Sequence, residues 1–141
     1  MTELRIERTF HAAAEDVFDA WTNPEVMRRW FHAGADWETA DAEVDLRVGG
    51  QVRVVMRSPD GRTSEMGGEY TVIDRPRRLV MTWTFADTPG NQQLLEVQFT
   101  QSGDATTVVL INTRISTDVR RASQDYGWRQ CLDELERRVV R

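Results

Sequence analysis

The strongest constraint in this chain is the period-two apolar alternation that fills its middle. Val52, Val54 and Met56 share one side of "QVRVVMR", with Gln51, Arg53 and Arg57 on the other. Leu79, Met81, Trp83 and Phe85 repeat the pattern in "LVMTWTF", and Leu95, Val97 and Phe99 do so in "LLEVQFT". Side chains of a strand point alternately to its two faces, so such runs predict strands with one face against a core. Weaker strand signals lie in "WETADAEVDLRV", where Val44 and Leu46 oppose Asp45 and Arg47, in "SEMGGEYTVID" and in "TTVVLINT". The clusters "SPDG", "DRPRR" and "GDA" read as turns, and short turns join strands antiparallel. From about Asp36 to Asn112 the expectation is therefore β throughout. Gly67 and Gly68 fall inside one strand, which marks a bulge, a bend or a close approach.

The flanks read differently. "LRIERTF" is a first strand carrying Leu4, Ile6 and Phe10. Val17, Phe18 and Trp21 then recur at helical spacing. In "TNPEVMRRWF", Asn23 is a good N-cap, Pro24 suits the first helical position, and Val26, Met27 and Trp30 share a face. Ser116 to Arg141 reads as a long helix. Trp128, Cys131, Leu132, Leu135 and Val139 occupy a sector about 100° wide, while Val119, Ala122 and Tyr126 fall nearly opposite. That change of phase at Gly127 predicts an irregularity there, or two separately packed halves. The layout is β-αα-β6-α, an α+β fold in which a curved antiparallel sheet covers a helix with one apolar stripe. Residues 1–141 are expected to form one domain.

Gly49-Gly50 could suggest a phosphate loop, but it lies between two strands, and a phosphate loop needs a following helix N-terminus. A hairpin turn is the expectation. The net charge of -5 argues against nucleic-acid binding. All 18 basic residues are arginine, which excludes Schiff-base and phosphate-lysine chemistry; the bias fits a GC-rich, bacterial genome. One cysteine excludes an internal disulfide framework. Scattered histidines and cysteine give no metal-ligand spacing, no G-x-S-x-G is present, and no cofactor is expected. No apolar run approaches the roughly 20 residues of a membrane span. The charged, alternating N-terminus is unlike a secretory signal, so a cytoplasmic location is expected.

"FDAWTNPEVMRRWF", "DLRVGGQVRVVMRSPDG", "RRLVMTWTF" and "YGWRQCLDELERRV" together resemble the START-like, helix-grip (SRPBCC) superfamily, in the same order over nearly the whole chain. The branch is similar to the C-terminal domain of the activator of heat-shock-protein-90 ATPase. The resemblance implies a cavity between sheet and terminal helix, where related families bind lipids, sterols, hormones or polyketides and some cyclise polyketides. The chain departs from the branch in "FHAG" after Trp30, in Ala13 where a proline is common, and in the single proline of "DRPRR".

The expected function is binding of a small hydrophobic or aromatic molecule in that cavity. The alternatives are a polyketide cyclase or hydrolase using the same cavity, and a co-chaperone-like interaction module without ligand; a homodimer is left open. The expected ligand-binding residues are Trp30, Phe31, His32, Met56, Met66, Trp83, Phe85, Trp128 and Cys131. Trp83 and Trp128 should meet across the sheet–helix gap, because aromatic and methionine side chains wall flat apolar ligands. Trp21 and Trp30 also suit the core. His32 and Glu69 are the candidates for acid–base work, Glu69 only if its side chain points inward, and one register step decides that. His11 is expected on a surface turn. Cys131 is expected to act as a small buried hydrophobe. Arg47, Arg53 and Arg57 should lie solvated on the outer face, paired with Asp45 or Glu43.

Overall fold

The computed structural model describes residues 1–140. Strand β1 (Thr2–Phe10) leads into helices α1 (Ala14–Thr22) and α2 (Pro24–Met27). Strands β2 (Glu38–Val44), β3 (Gln51–Arg57), β4 (Thr63–Asp74), β5 (Arg78–Phe85), β6 (Gln93–Ser102) and β7 (Ala105–Ile115) follow, and α3 (Asp118–Arg138) ends the order. The strands form one seven-stranded sheet in the order β1-β7-β6-β5-β4-β3-β2. Every neighbouring pair is antiparallel. The two short helices thus carry the chain from one edge of the sheet to the other.

The alternation sets the inner face. Val52, Val54 and Met56 are buried, as are Leu79, Met81, Trp83, Leu95, Val97 and Phe99. One core cluster joins these strands to α1, α2 and α3. Asn23 caps α2, its Oδ1 accepting from the Glu25 N–H at 3.0 Å, with Pro24 in the first turn. Thr117 caps α3 by accepting from the Arg120 N–H at 3.1 Å. Arg8 of β1 donates to Asp133 of α3 at 2.7 Å, which ties the helix to the edge strand.

Four details differ from the sequence reading. Strand β2 stops at Val44, and Leu46 and Val48 lie exposed in the loop that leads to β3. The Gly49 N–H donates to the Tyr70 carbonyl and the Gly50 N–H to the Arg47 carbonyl, so the glycine pair closes a wider turn onto β4. Helix α3 runs unbroken through Gly127. Val119, Ala122 and Tyr126 are exposed, and the buried line of its first half begins at the polar Gln124. Val139 ends the helix as its C-cap and Val140 is buried beyond it; Arg141 lies outside the described residues. Gly67 and Gly68 are required by close approach: a Cβ would strike the Val52 carbonyl at 67 and the Thr82 carbonyl at 68. The register shift of β4 against β5 falls after them, between Tyr70 and Val72.

Candidate functional site

Between the inner face of β3–β5 and α3 lies a cavity of about 370 Å³. Met56 and Met66 come from adjacent strands, Trp83 and Phe85 from β5, Phe31 from the turn after α2, and Trp128 and Cys131 from α3. The Trp83 and Trp128 rings stand 5.9 Å apart across the gap. Phe31 meets Trp128 edge-on at 5.4 Å and Trp83 at 6.1 Å. These separations are those of favourable aromatic contacts, so the walls hold one another in place without a ligand.

The polar side of the cavity is a buried amide cluster. Gln124 lines the cavity and exchanges reciprocal hydrogen bonds with Gln93, at 2.9 and 2.8 Å. Asn112 donates to Gln93 Oε1 at 2.9 Å and accepts from Gln124 at 2.9 Å and from the Trp128 indole N–H at 3.3 Å. Gln93 also donates to Asn91 Oδ1 at 3.2 Å and Asn112 to the Leu94 carbonyl at 3.3 Å, so both protons of each amide are used, which removes most of the cost of burying three amides. The second lone pair of Gln124 Oε1 is the acceptor left over. Composition gave no hint of this cluster, but phase did. Gln93 is in step with Leu95 and Val97, and a polar residue on the inward phase of a strand needs partners.

At the mouth, Arg120 donates to Asp87 at 3.1 and 3.2 Å and lies 5.4 Å from the Phe85 ring centre. The Arg120 hydrogen bond holds the Asp87 carboxyl below its ordinary pKa. The Trp83 indole N–H and Arg120 Nε are buried without hydrogen-bond partners among the described residues. Burial pushes the Cys131 thiol far up, so it remains protonated and inert.

Not all the expected site residues come together. Phe31, Met56, Met66, Trp83, Phe85, Trp128 and Cys131 line the cavity; Trp30, His32 and Glu69 do not. Trp30 is wholly buried and donates its indole N–H to the Ala20 carbonyl at 2.8 Å, which makes it core. The Trp30 and Phe31 N–H groups both bond to the Met27 carbonyl, continuing a helical turn. Successive side chains on such a turn diverge by about 100°, so Trp30, Phe31 and His32 cannot all face one cavity. Glu69 is exposed, its backbone N–H bonded to Thr82 Oγ1. His11 is exposed as expected. Arg47 pairs with Asp45 and Arg53 with Glu43 at 3.7 Å, as expected, while Arg53 also pairs with Asp41 and Glu65, and Arg57 with Glu38.

His32 is buried on the other side of the turn. Its Nδ1 lies 2.9 Å from Thr39 Oγ1, and its Nε2 lies 3.4 Å from Glu134 Oε1. Burial lowers the imidazole pKa, and the neighbouring Glu134 only partly offsets this. The Glu134 side chain is buried and also accepts from Arg137 and, at 3.0 Å, from Arg138 Nε.

The profile of the family described as "Activator of Hsp90 ATPase homolog 1-like protein" matches residues 11–139. The chain belongs to this family. An AHSA1-like protein from Aeromonas hydrophila, solved by NMR, is 30% identical with a TM-score of 0.79, over 96% of this chain and 90% of that one. The AHSA1 protein of Silicibacter pomeroyi superposes with a TM-score of 0.85 at 20% identity, over 96% of both chains. An HSP90 activator from Plasmodium falciparum superposes with a TM-score of 0.75 at 24% identity, over 95% of this chain and 93% of that one. Among curated proteins none matches the chain. The helix-grip, START-like fold of the family is the one described above, and no helix among the described residues is long and apolar enough to cross a membrane.

Proposed function

We propose that residues 1–141 act in the cytoplasm as one START-like domain that binds a small, flat, apolar or aromatic molecule between β3–β5 and α3. The observation that carries this reading is the cavity of about 370 Å³ walled by Trp83, Trp128, Phe31 and two methionines. Its size falls within the roughly 300–1,000 Å³ of ligand pockets, and its walls have the aromatic character of such sites. Affinity would come from apolar surface removed from water, at roughly 25 cal/mol per Å² before the costs of association. The free lone pair of Gln124 Oε1 would orient a ligand hydroxyl or amine.

An enzymatic reading needs a titratable group free inside the cavity. Asp87 is held by Arg120, the Cys131 thiol is held protonated, and His32 and Glu69 lie elsewhere. Ligand binding without turnover is therefore the better-supported function, and an interaction module with a collapsed core would leave no room of this size.

The test uses a neutral apolar fluorophore, N-phenyl-1-naphthylamine, titrated into the protein. Saturable one-to-one enhancement is expected. A Cβ at Gly127 meets nothing within 4 Å, and Gly127 lines the cavity. Gly127→Leu should therefore fill the space and weaken binding at least tenfold while leaving the fold intact. Unchanged affinity in that variant would overturn the reading.

A further inference from the structure

A second cleft, of about 580 Å³, opens on the far side of the 31–37 segment. Arg28, Arg29, Arg137 and Arg138 line it together with His32, and among the described residues Glu38 is its one lining carboxylate. In a chain of net charge -5 this is a local reversal of sign. Glu38 is already bonded to Arg57 at 2.6 Å. Asp41, which accepts from Arg28 at 3.0 Å, also accepts from Arg53 at 2.9 Å, so one carboxylate serves two guanidinia. Glu134 lies buried behind the cleft and answers Arg138 and Arg137. Arg29 makes no ion pair among the described residues; its Nη2 donates to the Arg138 carbonyl at 2.7 Å.

That tether matters as much as the charge. A guanidinium carries five N–H donors in a rigid fork that matches phosphate oxygens. Arg29 and Arg138 are each fixed at one donor, to a carbonyl and to Glu134, so their remaining donors are held with little further loss of side-chain freedom on binding. Trp37 lines both this cleft and the apolar cavity, and it gives the arginines an apolar neighbour.

We propose that this cleft binds the phosphate group of a small phosphate ester, with Arg29 and Arg28 gripping the oxygens and Trp37 against the organic part. The site is separate from the apolar cavity and does not rest on a ligand there.

The test is NMR of the whole chain at fixed ionic strength, with inorganic pyrophosphate as the probe. Saturable shifts are expected in the backbone amides of 28–39 and 137–139 and in the Arg29 Nε–H signal. Arg29→Ala should weaken binding about tenfold, the worth of one charge-assisted contact. Arg62→Ala, at the exposed β3–β4 turn, should change nothing. Arg28→Gln is the second variant should Arg29→Ala fail to fold, with weakening again expected. Shifts that rise linearly without saturating, or equal affinity in the arginine variant, would overturn the proposal. So would saturable binding of a hexaglutamate peptide or of phosphatidic acid vesicles where pyrophosphate gives none, because the cleft would then serve a protein or a membrane surface.

Discussion

The two ends of α3 solve burial in opposite ways. From its start to Cys131, Gln124, Gly127, Trp128 and Cys131 face a mainly apolar cavity whose inner polar side is amides bonded to one another, with the Arg120–Asp87 ion pair confined to the mouth. At its second half a buried carboxylate, Glu134, is answered by His32, Arg137 and Arg138. The partition between them is the turn from Phe31 to Trp37. Neutral amides and aromatic rings favour an apolar guest, because the charges that border the cavity, Arg120 and Asp87, are already paired with each other at its mouth. The charged end keeps its balance only while every partner stays in place. One helix therefore presents two surfaces of different chemistry: the cavity half faces the aromatic and methionine side chains of β3–β5, and the other half meets His32 of the turn after α2 and Arg8 of β1.

The largest effect separating the two ends should come from Trp128→Ala. It removes contacts to Trp21, Phe31 and Trp83 and the hydrogen bond to Asn112. A loss of about 3–5 kcal/mol is expected from denaturant unfolding, against about 0.5 kcal/mol or less for Arg29→Ala at the cleft. Equal losses would erase the contrast. Next in size is Glu134→Leu, expected to cost about 1–3 kcal/mol. The lower range applies because the side chains of Arg137 and Arg138 are 58% and 46% exposed and water would take over much of their solvation. A loss as large as that of Trp128→Ala would mean that the charged end, not the aromatic end, anchors the helix.

Mild acid, above the range in which carboxylates titrate, should act on the charged end. Burial lowers the His32 pKa below its ordinary value of 6.5, so the unfolded chain takes up a proton before the folded one does. The contribution of neutral His32 is therefore present above pH 6.5 and is lost as pH falls from there toward the lowered folded value. Unfolding midpoints measured from pH 7.5 down to 5 should show this loss, and His32→Gln should flatten it. An unchanged slope in the variant would place the effect elsewhere. The smallest effect is expected at Tyr70, whose hydroxyl is buried without a partner among the described residues and whose pKa burial pushes well up. Tyr70→Phe should be neutral or stabilising by up to about 1 kcal/mol, since no hydrogen bond is lost and an unpaired polar group is removed. A clear destabilisation would show that the hydroxyl is in fact bonded.

How far the sequence speaks depends on what kind of information each feature carries. Val52, Val54 and Met56 declare their face by period alone, and so do Leu79 to Phe85; the sheet, the family resemblance and most of the cavity wall follow from them. Trp83 and Trp128 were legible as a facing pair because each lies on the apolar side of its own element. His32 lies off the cavity because Trp30, Phe31 and His32 sit on a tight turn, where each residue rotates by about 100° and no period survives. Trp30 could be read as wall or as core, and only the reach of its indole N–H to Ala20 decides between them. The phase change at Gly127 proved to be solvent exposure of Val119, Ala122 and Tyr126 rather than a break, because an exposed apolar residue costs little and leaves no mark on the backbone. The arginine cleft joins residues about a hundred positions apart, and long-range pairs such as His32 with Glu134 have no sequence signature.

The most direct test of the central claim is the location of a bound apolar probe. Intermolecular nuclear Overhauser contacts from N-phenyl-1-naphthylamine to the side chains of Trp83, Trp128, Met56 and Met66 are predicted, and they should vanish in Gly127→Leu. Contacts instead to the exposed Leu46, Val48 or Val119, or contacts that persist unchanged in that variant, would contradict it.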